Sequence, residues 1–213
     1  MIRQNDHEVS TGTGVFHLTV EPIIYLALIH YPVLNKNGES VVSAITNLDI
    51  HDIARAACTY GSRGYFIVTP VRDQQVLTEK IISHWTAGYG GEYNPNRREA
   101  LSIVRVADAL DTVRVAIEQE TGNIPKVVAT SAGNCLDGHF NAKRLGFDEM
   151  RKSMSEGMPH LILFGTAWGL APEVFEKVDW ILEPITGEGA YNHLSVRSAA
   201  TVILDRLRWV HGN

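Results

Sequence analysis

The chain holds only two cysteines, Cys58 and Cys135, far apart and in no CxxC pair. A disulfide framework is excluded, and two reduced thiols fit a cytosolic protein. Nine histidines are scattered, with no HExxH and no Cys/His ligand spacing, so no metal site is expected. His51, His84, His160 and His193 read instead as core or capping residues. No GxxxxGKS or GxxxxGKT is present, which removes P-loop phosphate binding. No GxGxxG follows the first predicted strand. Gly88-Tyr89-Gly90-Gly91 lies between a predicted helix and a predicted strand, the wrong place for a dinucleotide fingerprint. There is no GxSxG elbow. No apolar run approaches the ~20 residues of a membrane span. The opening residues carry no apolar signal core, and residues 1–20 read as a flexible extension. Positive charge is also short: the net charge is −5. That argues against a broad basic surface that grips nucleic acid unaided. It leaves room for a local patch at Arg97, Arg98 and Arg105.

What is present is a repeated strand–helix alternation. The 213 residues are 45% hydrophobic and 20% charged, enough for one domain with a full core, residues 21–213. Pro22 to Tyr31 contains IIYLALIHY, a buried first strand. Asn35 to Glu39 is a polar turn. Thr46 or Asn47 caps a helix whose buried stripe is Ile50, Ile53, Ala54 and Ala57. Gly64 to Pro70 is a strand and Asp73 to Trp85 a helix, with Val76, Leu77 and Ile81 inward. Ala87 to Pro95 is the loosest segment, suited to a loop. Tyr89 and Tyr93 offer faces on which a base could stack, and a plain solvated connection fits as well. Leu101 to Val106, Lys126 to Thr130, Leu161 to Phe164 and Val178 to Leu182 complete the strands. Asp108 to Gly122, Leu145 to Ser155 and a last helix from Asn192 to about Val210 complete the helices. The alternation, repeated about six times, implies an open parallel α/β sheet with helices on both faces.

Such sheets bind ligands outside the carboxyl ends of their strands. Leu161 to Leu204 offers two suitable loops there. Gly165-Thr166-Ala167-Trp168-Gly169-Leu170 follows one strand, and Glu183 to Tyr191, with Pro184, Gly187 and Gly189, follows the next. Ser131 to Gly138 follows the strand before them.

These residues resemble the cofactor-binding end of the SPOUT RNA methyltransferases. The strings LIHYPVLNKNG, TNLDIHDIARAA, FGTAWGL and YNHLSVRSA carry the resemblance, in order, over about Pro22 to Leu207. It looks closest to a bacterial branch sometimes fused to the tRNA guanine-N1 methyltransferase. The resemblance implies S-adenosylmethionine as cofactor. It implies binding positions at Thr130 and Ser131, at Phe164, Gly165, Thr166, Gly169 and Leu170, and at Glu183, Pro184, Ile185, His193 and Leu194. Ser195 stands where many members have Asn. A C-terminal trefoil knot, a homodimer through the first and last helices and an RNA substrate, tRNA or rRNA, are implied in the same way.

On spacing alone, Asp52 and Arg55 make a surface ion pair on the first helix. The resemblance gives that helix another role, since Asn47, Arg55 and Gly61 match the order of the first SPOUT motif. It implies catalytic roles for Asn47 and Arg55. Arg55 could hold a phosphate or stabilise a ribose oxyanion. For a guanine ring nitrogen, Asp49 or Asp52 would be the proton acceptor. Two other readings stay open: a cofactor-binding accessory module without catalysis, or another α/β enzyme using the same loops.

Overall fold

The computed structural model describes residues 21–133, 142–189 and 191–208. The predicted N-terminal extension, most of the Ser131–Gly138 loop, Cys135 and the end of the last helix lie outside them.

Seven parallel strands form one sheet in the order β5-β4-β1-β8-β6-β9-β7. β1 (Ile23–Ile29) and β8 (Pro159–Gly165) lie side by side at the centre, with Ile23 opposite Pro159 and Ile29 opposite Gly165. Both are continuous apolar runs because helices cover both faces. β4 (Gly64–Val68) and β5 (Val104–Ala107) extend the sheet on one side. β6 (Lys126–Ala129), β9 (Trp180–Leu182) and β7 (Lys143–Leu145) extend it on the other. The sheet has one strand more than the alternation predicts. β7 is three residues, two of them exposed, so it carries no apolar signal. A separate antiparallel pair, β2 (Val33–Leu34) and β3 (Ser40–Val41), brackets the Asn35–Glu39 turn.

One face is covered mainly by α1 (Asn47–Thr59), α4 (Pro95–Ser102), α6 (Phe147–Met154) and α8 (Val196–Arg208). The other is covered by α5 (Leu110–Thr121), α7 (Pro172–Phe175) and the β2–β3 pair. α2 (Arg72–Thr86) and α3 (Tyr89–Tyr93) pack on α4 at the β5 edge. Thr46 caps α1 by accepting from the Asp49 N–H at 3.2 Å, and Gly122 closes α5 at φ +73°.

Three boundaries and one burial pattern differ from expectation. The predicted strand at Leu101 begins only at Val104, because Pro95–Ser102 is helical. Asn94 caps that helix, accepting from the Arg97 N–H at 3.0 Å, and Pro95 takes the first helical position. The predicted loop at Ala87–Pro95 contains α3, despite its glycines. A Cβ on Gly91 would strike the Trp85 carbonyl oxygen, so glycine is what lets α3 lie against α2. The last helix begins at Val196, with Ser195 Oγ accepting from the Ser198 N–H at 3.2 Å. On α2, Leu77 is exposed while Gln75 and Thr78 are buried. Gln75 turns inward to donate to the Thr69 carbonyl at 2.7 Å, a bond that periodicity cannot reveal.

Candidate active site at the carboxyl ends of three adjacent strands

The carboxyl ends of β8, β6 and β9 are neighbours in the sheet, so the three predicted cofactor loops converge. Their polar side chains are mostly spent on holding one another. Thr130 donates its hydroxyl to the Leu163 carbonyl at 2.8 Å, tying β6 to β8. Ser131 Oγ donates to the Gly133 carbonyl at 3.2 Å. Asn192 Nδ2 donates to the Ala132 carbonyl at 3.1 Å and joins the third loop to the first. Glu183 accepts from the Phe147 N–H at 2.8 Å, so its carboxylate serves the first turn of α6.

The middle loop is fixed most firmly. A Cβ on Gly165 would stand 2.6 Å from the Leu170 nitrogen and 2.9 Å from the Gly169 carbonyl carbon. Only glycine lets this turn fold back on its own strand. Ala167 sits at φ +52° and Gly169 at φ +107°, and the alanine stores on the order of 1 kcal/mol of backbone strain. The β2 hairpin braces the turn: Trp168 N–H donates to the Leu34 carbonyl at 3.0 Å, and Leu34 N–H to the Gly169 carbonyl at 2.9 Å. Phe164 and Leu170 are buried and contribute backbone only. Apolar surface remains at Trp168, 67% exposed, at Leu194, 48% exposed, and at half-buried Pro184 and Ile185.

Behind the turn runs a partly buried polar relay. His30 Nδ1 lies 3.0 Å from Ser43 Oγ, which lies 2.5 Å from Thr166 Oγ1, which donates to the Ile29 carbonyl at 3.0 Å. One donor order satisfies the set: His30 Nδ1–H to Ser43, Ser43 to Thr166, Thr166 to Ile29. It leaves His30 Nε2 as a buried, unpaired acceptor. Burial, chiefly, lowers the His30 pKa to about 4, against the opposing pull of Asp49. Motif reasoning missed His30 and Ser43, because neither has a spacing that marks it.

On α1 the three predicted catalytic residues part company. Asn47 and Arg55 are exposed, whereas Asp49 is buried. Asp49 Oδ1 accepts from Arg197 Nη1 at 3.1 Å and its Oδ2 from the Thr46 hydroxyl at 2.6 Å. The expected Asp52–Arg55 pair does not form among the described residues; Asp52 pairs with Arg197 Nε at 3.4 Å. Arg197, in the first turn of α8, thus clamps the end of the third loop to α1. This contact lies 145 or more positions apart in sequence, beyond the reach of spacing rules.

The histidines divide. His160 is a core residue, stacked on Trp180, and His51 lies half-buried against Trp85. His84 and His193 are exposed, so neither is a core residue; His84 lies in the last turn of α2. Arg105 does not join Arg97 and Arg98 in one patch, because it pairs with Glu120 at 2.7 Å. Among the described residues no His/Cys/Asp/Glu group could hold a metal ion. Nor is any helix there long and apolar enough to cross a membrane. An open cleft of about 270 Å³ lies between α2 and β5 at the sheet edge, away from the three loops.

Comparison with known proteins bears on these loops. The SAM-dependent RNA methyltransferase family matches residues 23–209. A tRNA (guanine-N(1)-)-methyltransferase of Oleidesulfovibrio alaskensis is 48% identical over 184 residues, 86% of this chain but 41% of that protein's length. An uncharacterized protein of Aquifex aeolicus is 37% identical over 194 residues, covering 91% of this chain and 92% of its own. In fold, the chain is similar to an AdoMet-bound rRNA methyltransferase from Sinorhizobium meliloti. The TM-score is 0.52 at 18% identity, over 89% of this chain and 57% of that one. The resemblance read from four short strings thus extends through the whole sheet, and the chain belongs to the SAM-dependent RNA methyltransferase family.

Proposed function

We propose that this chain binds S-adenosylmethionine at the β8, β6 and β9 loops and directs its methyl group to a tRNA. The observation that carries the reading is that three loops leave the neighbouring carboxyl ends of β8, β6 and β9. The cofactor supplies a sulfonium methyl, an electrophile that needs neither metal nor covalent enzyme intermediate. The residues present fit it. Backbone N–H and C=O groups of the Gly165–Leu170 turn and of Pro184–Ile185 suit a purine edge. Leu194 and Ile185 offer the apolar walls. The protein's own contribution is then positioning.

Arg55 is exposed on α1 and suited to hold a phosphate or to stabilise a developing ribose oxyanion. A guanidinium is a poor base. Asp49 is no better placed for that role here, since both its oxygens are already occupied. For a guanine ring nitrogen the acceptor is then Asp52, exposed and paired with Arg197 through Oδ2; for a ribose oxygen the group that acts is Arg55. The guanine-N1 name belongs to a relative of which this chain matches 41%.

A trefoil knot follows from the same reading. β9 slots between β6 and β7, two strands already joined by the segment around residues 130–142, and Asn192 returns to the first loop. A homodimer through α1 and α8 is supported by the exposed Leu48 on α1, and a cytoplasmic setting by the substrate. The net charge of −5 favours one alternative, a cofactor-binding accessory to another tRNA enzyme.

Calorimetric titration of S-adenosylmethionine tests the reading. One site per chain is expected, lost in Gly165→Trp, followed by methyl transfer from labelled cofactor to unfractionated tRNA. Absence of cofactor binding by the parent chain would sink the proposal. Binding without transfer to any RNA pool would favour the accessory role.

A further inference from the structure

The corner formed by α2, α3 and α4 presents two near-parallel tyrosine rings to solvent. Tyr89 is 73% exposed and Tyr93 78%, with ring centroids 6.5 Å apart and planes 27° from parallel. The corner is built to hold them there. Gly90 and Gly91 are buried against α2, where a Cβ on Gly90 would stand 2.8 Å from the Trp85 ring. Trp85 is in turn gripped by the His51 ring at 5.5 Å and by the Arg97 guanidinium 4.5 Å above its face. Arg98 follows, exposed. Between residues 88 and 98 the single acid is Glu92, against two arginines. The corner also adjoins the exposed face of α1. Arg97 and Arg55 both disfavour the charged form of His51, after burial, so both guanidinium groups lie in its neighbourhood.

We propose that Tyr89 and Tyr93, flanked by Arg97 and Arg98, form a docking platform for unstacked bases of the substrate RNA. The proposal rests on the RNA-methyltransferase reading above and adds where the RNA is held. Two open aromatic faces stack any base, and guanidinium groups pair with the phosphates between them. A paired A-form stem hides its base faces, so the platform selects loops or splayed ends. In a chain of net charge −5, such a local patch must supply much of the grip.

The test is fluorescence-anisotropy titration of the full chain with labelled unfractionated tRNA at fixed salt. Cofactor calorimetry and sedimentation run on the same samples. Tyr89→Ala with Tyr93→Ala is expected to weaken tRNA binding at least about 30-fold, the low end of the stacking range for two bases. Tyr89→Phe with Tyr93→Phe keeps the rings and is expected to stay within about twofold of the parent, since stacking needs the ring and not the hydroxyl. Cofactor affinity and mass should not move in either variant. An alanine variant that binds tRNA as well as the parent overturns the platform and leaves the methyltransferase reading intact. So does a change in sedimenting mass, which would make the face a seat for a second copy. A parent that binds the cofactor but no tRNA overturns the platform too. Loss of cofactor binding by the parent would instead strike the broader reading.

Discussion

The loop end of the sheet and the outer surface of α1 to α4 use their side chains in opposite ways. At the loops several polar side chains are satisfied internally. Thr130 serves β8, Glu183 serves α6, Asn192 serves the first loop, and Thr166 closes the relay from His30. What remains for a ligand is mainly backbone and apolar surface, with Thr186, Glu188, Tyr191 and His193 exposed on the third loop. On the α1–α4 side, Asn47, Arg55, Arg98, Tyr89 and Tyr93 are left exposed. The difference fits the division of labour proposed above, in which the loop end would read the cofactor through main-chain groups and the other would offer charge and rings to RNA. A pre-set turn such as Gly165–Leu170 needs no ordering on binding. The exposed side chains must be ordered by whatever they meet.

Replacing Arg55 by Ala separates the two ends most sharply. If the outer face carries the chemistry, methyl transfer should fall about 100- to 1,000-fold, the range for removing one group that stabilises developing charge. Cofactor affinity should stay within about twofold, because no hydrogen bond or ion pair of the Arg55 side chain reaches the loops among the described residues. Single-turnover transfer and calorimetry on one preparation read both. Unchanged transfer would remove Arg55 from the mechanism and shift the function toward the cofactor end alone.

The rigid end has its own pH signature. His30 is fully buried, and burial lowers its pKa from 6.5 to about 4. Below pH 6.5 the unfolded chain takes up a proton that the folded chain refuses until about pH 4. Stability is therefore full above pH 6.5 and lost as pH falls through that window, by about 3 kcal/mol from this residue. His160 is shifted in the same direction, again mainly by burial, so it adds to the decline. Denaturant melts from pH 7 to 4.5 should show a shallower slope in His30→Asn than in the parent. Equal slopes would mean that His30 is not the buried neutral group described here.

The fold was largely legible in the sequence because its central strands are continuous apolar runs and its caps are chemically explicit. Thr46 and Gly122 do in space what their types announce. Two kinds of feature were not legible. Short edge strands such as Lys143–Leu145 pair through backbone and carry no pattern. Helix α4 was hidden because LSIVRV reads as one β run, although Asn94-Pro95 marked the helix start. At the site, glycine positions and loop order were readable, whereas the burial of Asp49 and the relay through Ser43 were not. Both depend on partners brought from distant positions: Arg197 for Asp49, Thr166 for Ser43.

The smallest expected effect tests whether the third loop borrows its shape from α8. Ser195 directly follows Leu194 and caps α8, accepting from the Ser198 N–H at 3.2 Å. Ser195→Ala leaves that donor without its side-chain partner and should cost about 1 kcal/mol, as N-cap losses do. In a domain of this size that is about 2–4 °C in Tm. Arg197, in the first turn of the same helix, still holds Asp49 and Asp52, so the helix start should fray without leaving α1. Cofactor affinity should then fall by less than about threefold, well under the tenfold that a 1.4 kcal/mol change gives. A larger loss of affinity with the same Tm would show that Leu194 is positioned by the cap, and that the third loop is less self-sufficient than the turn after β8.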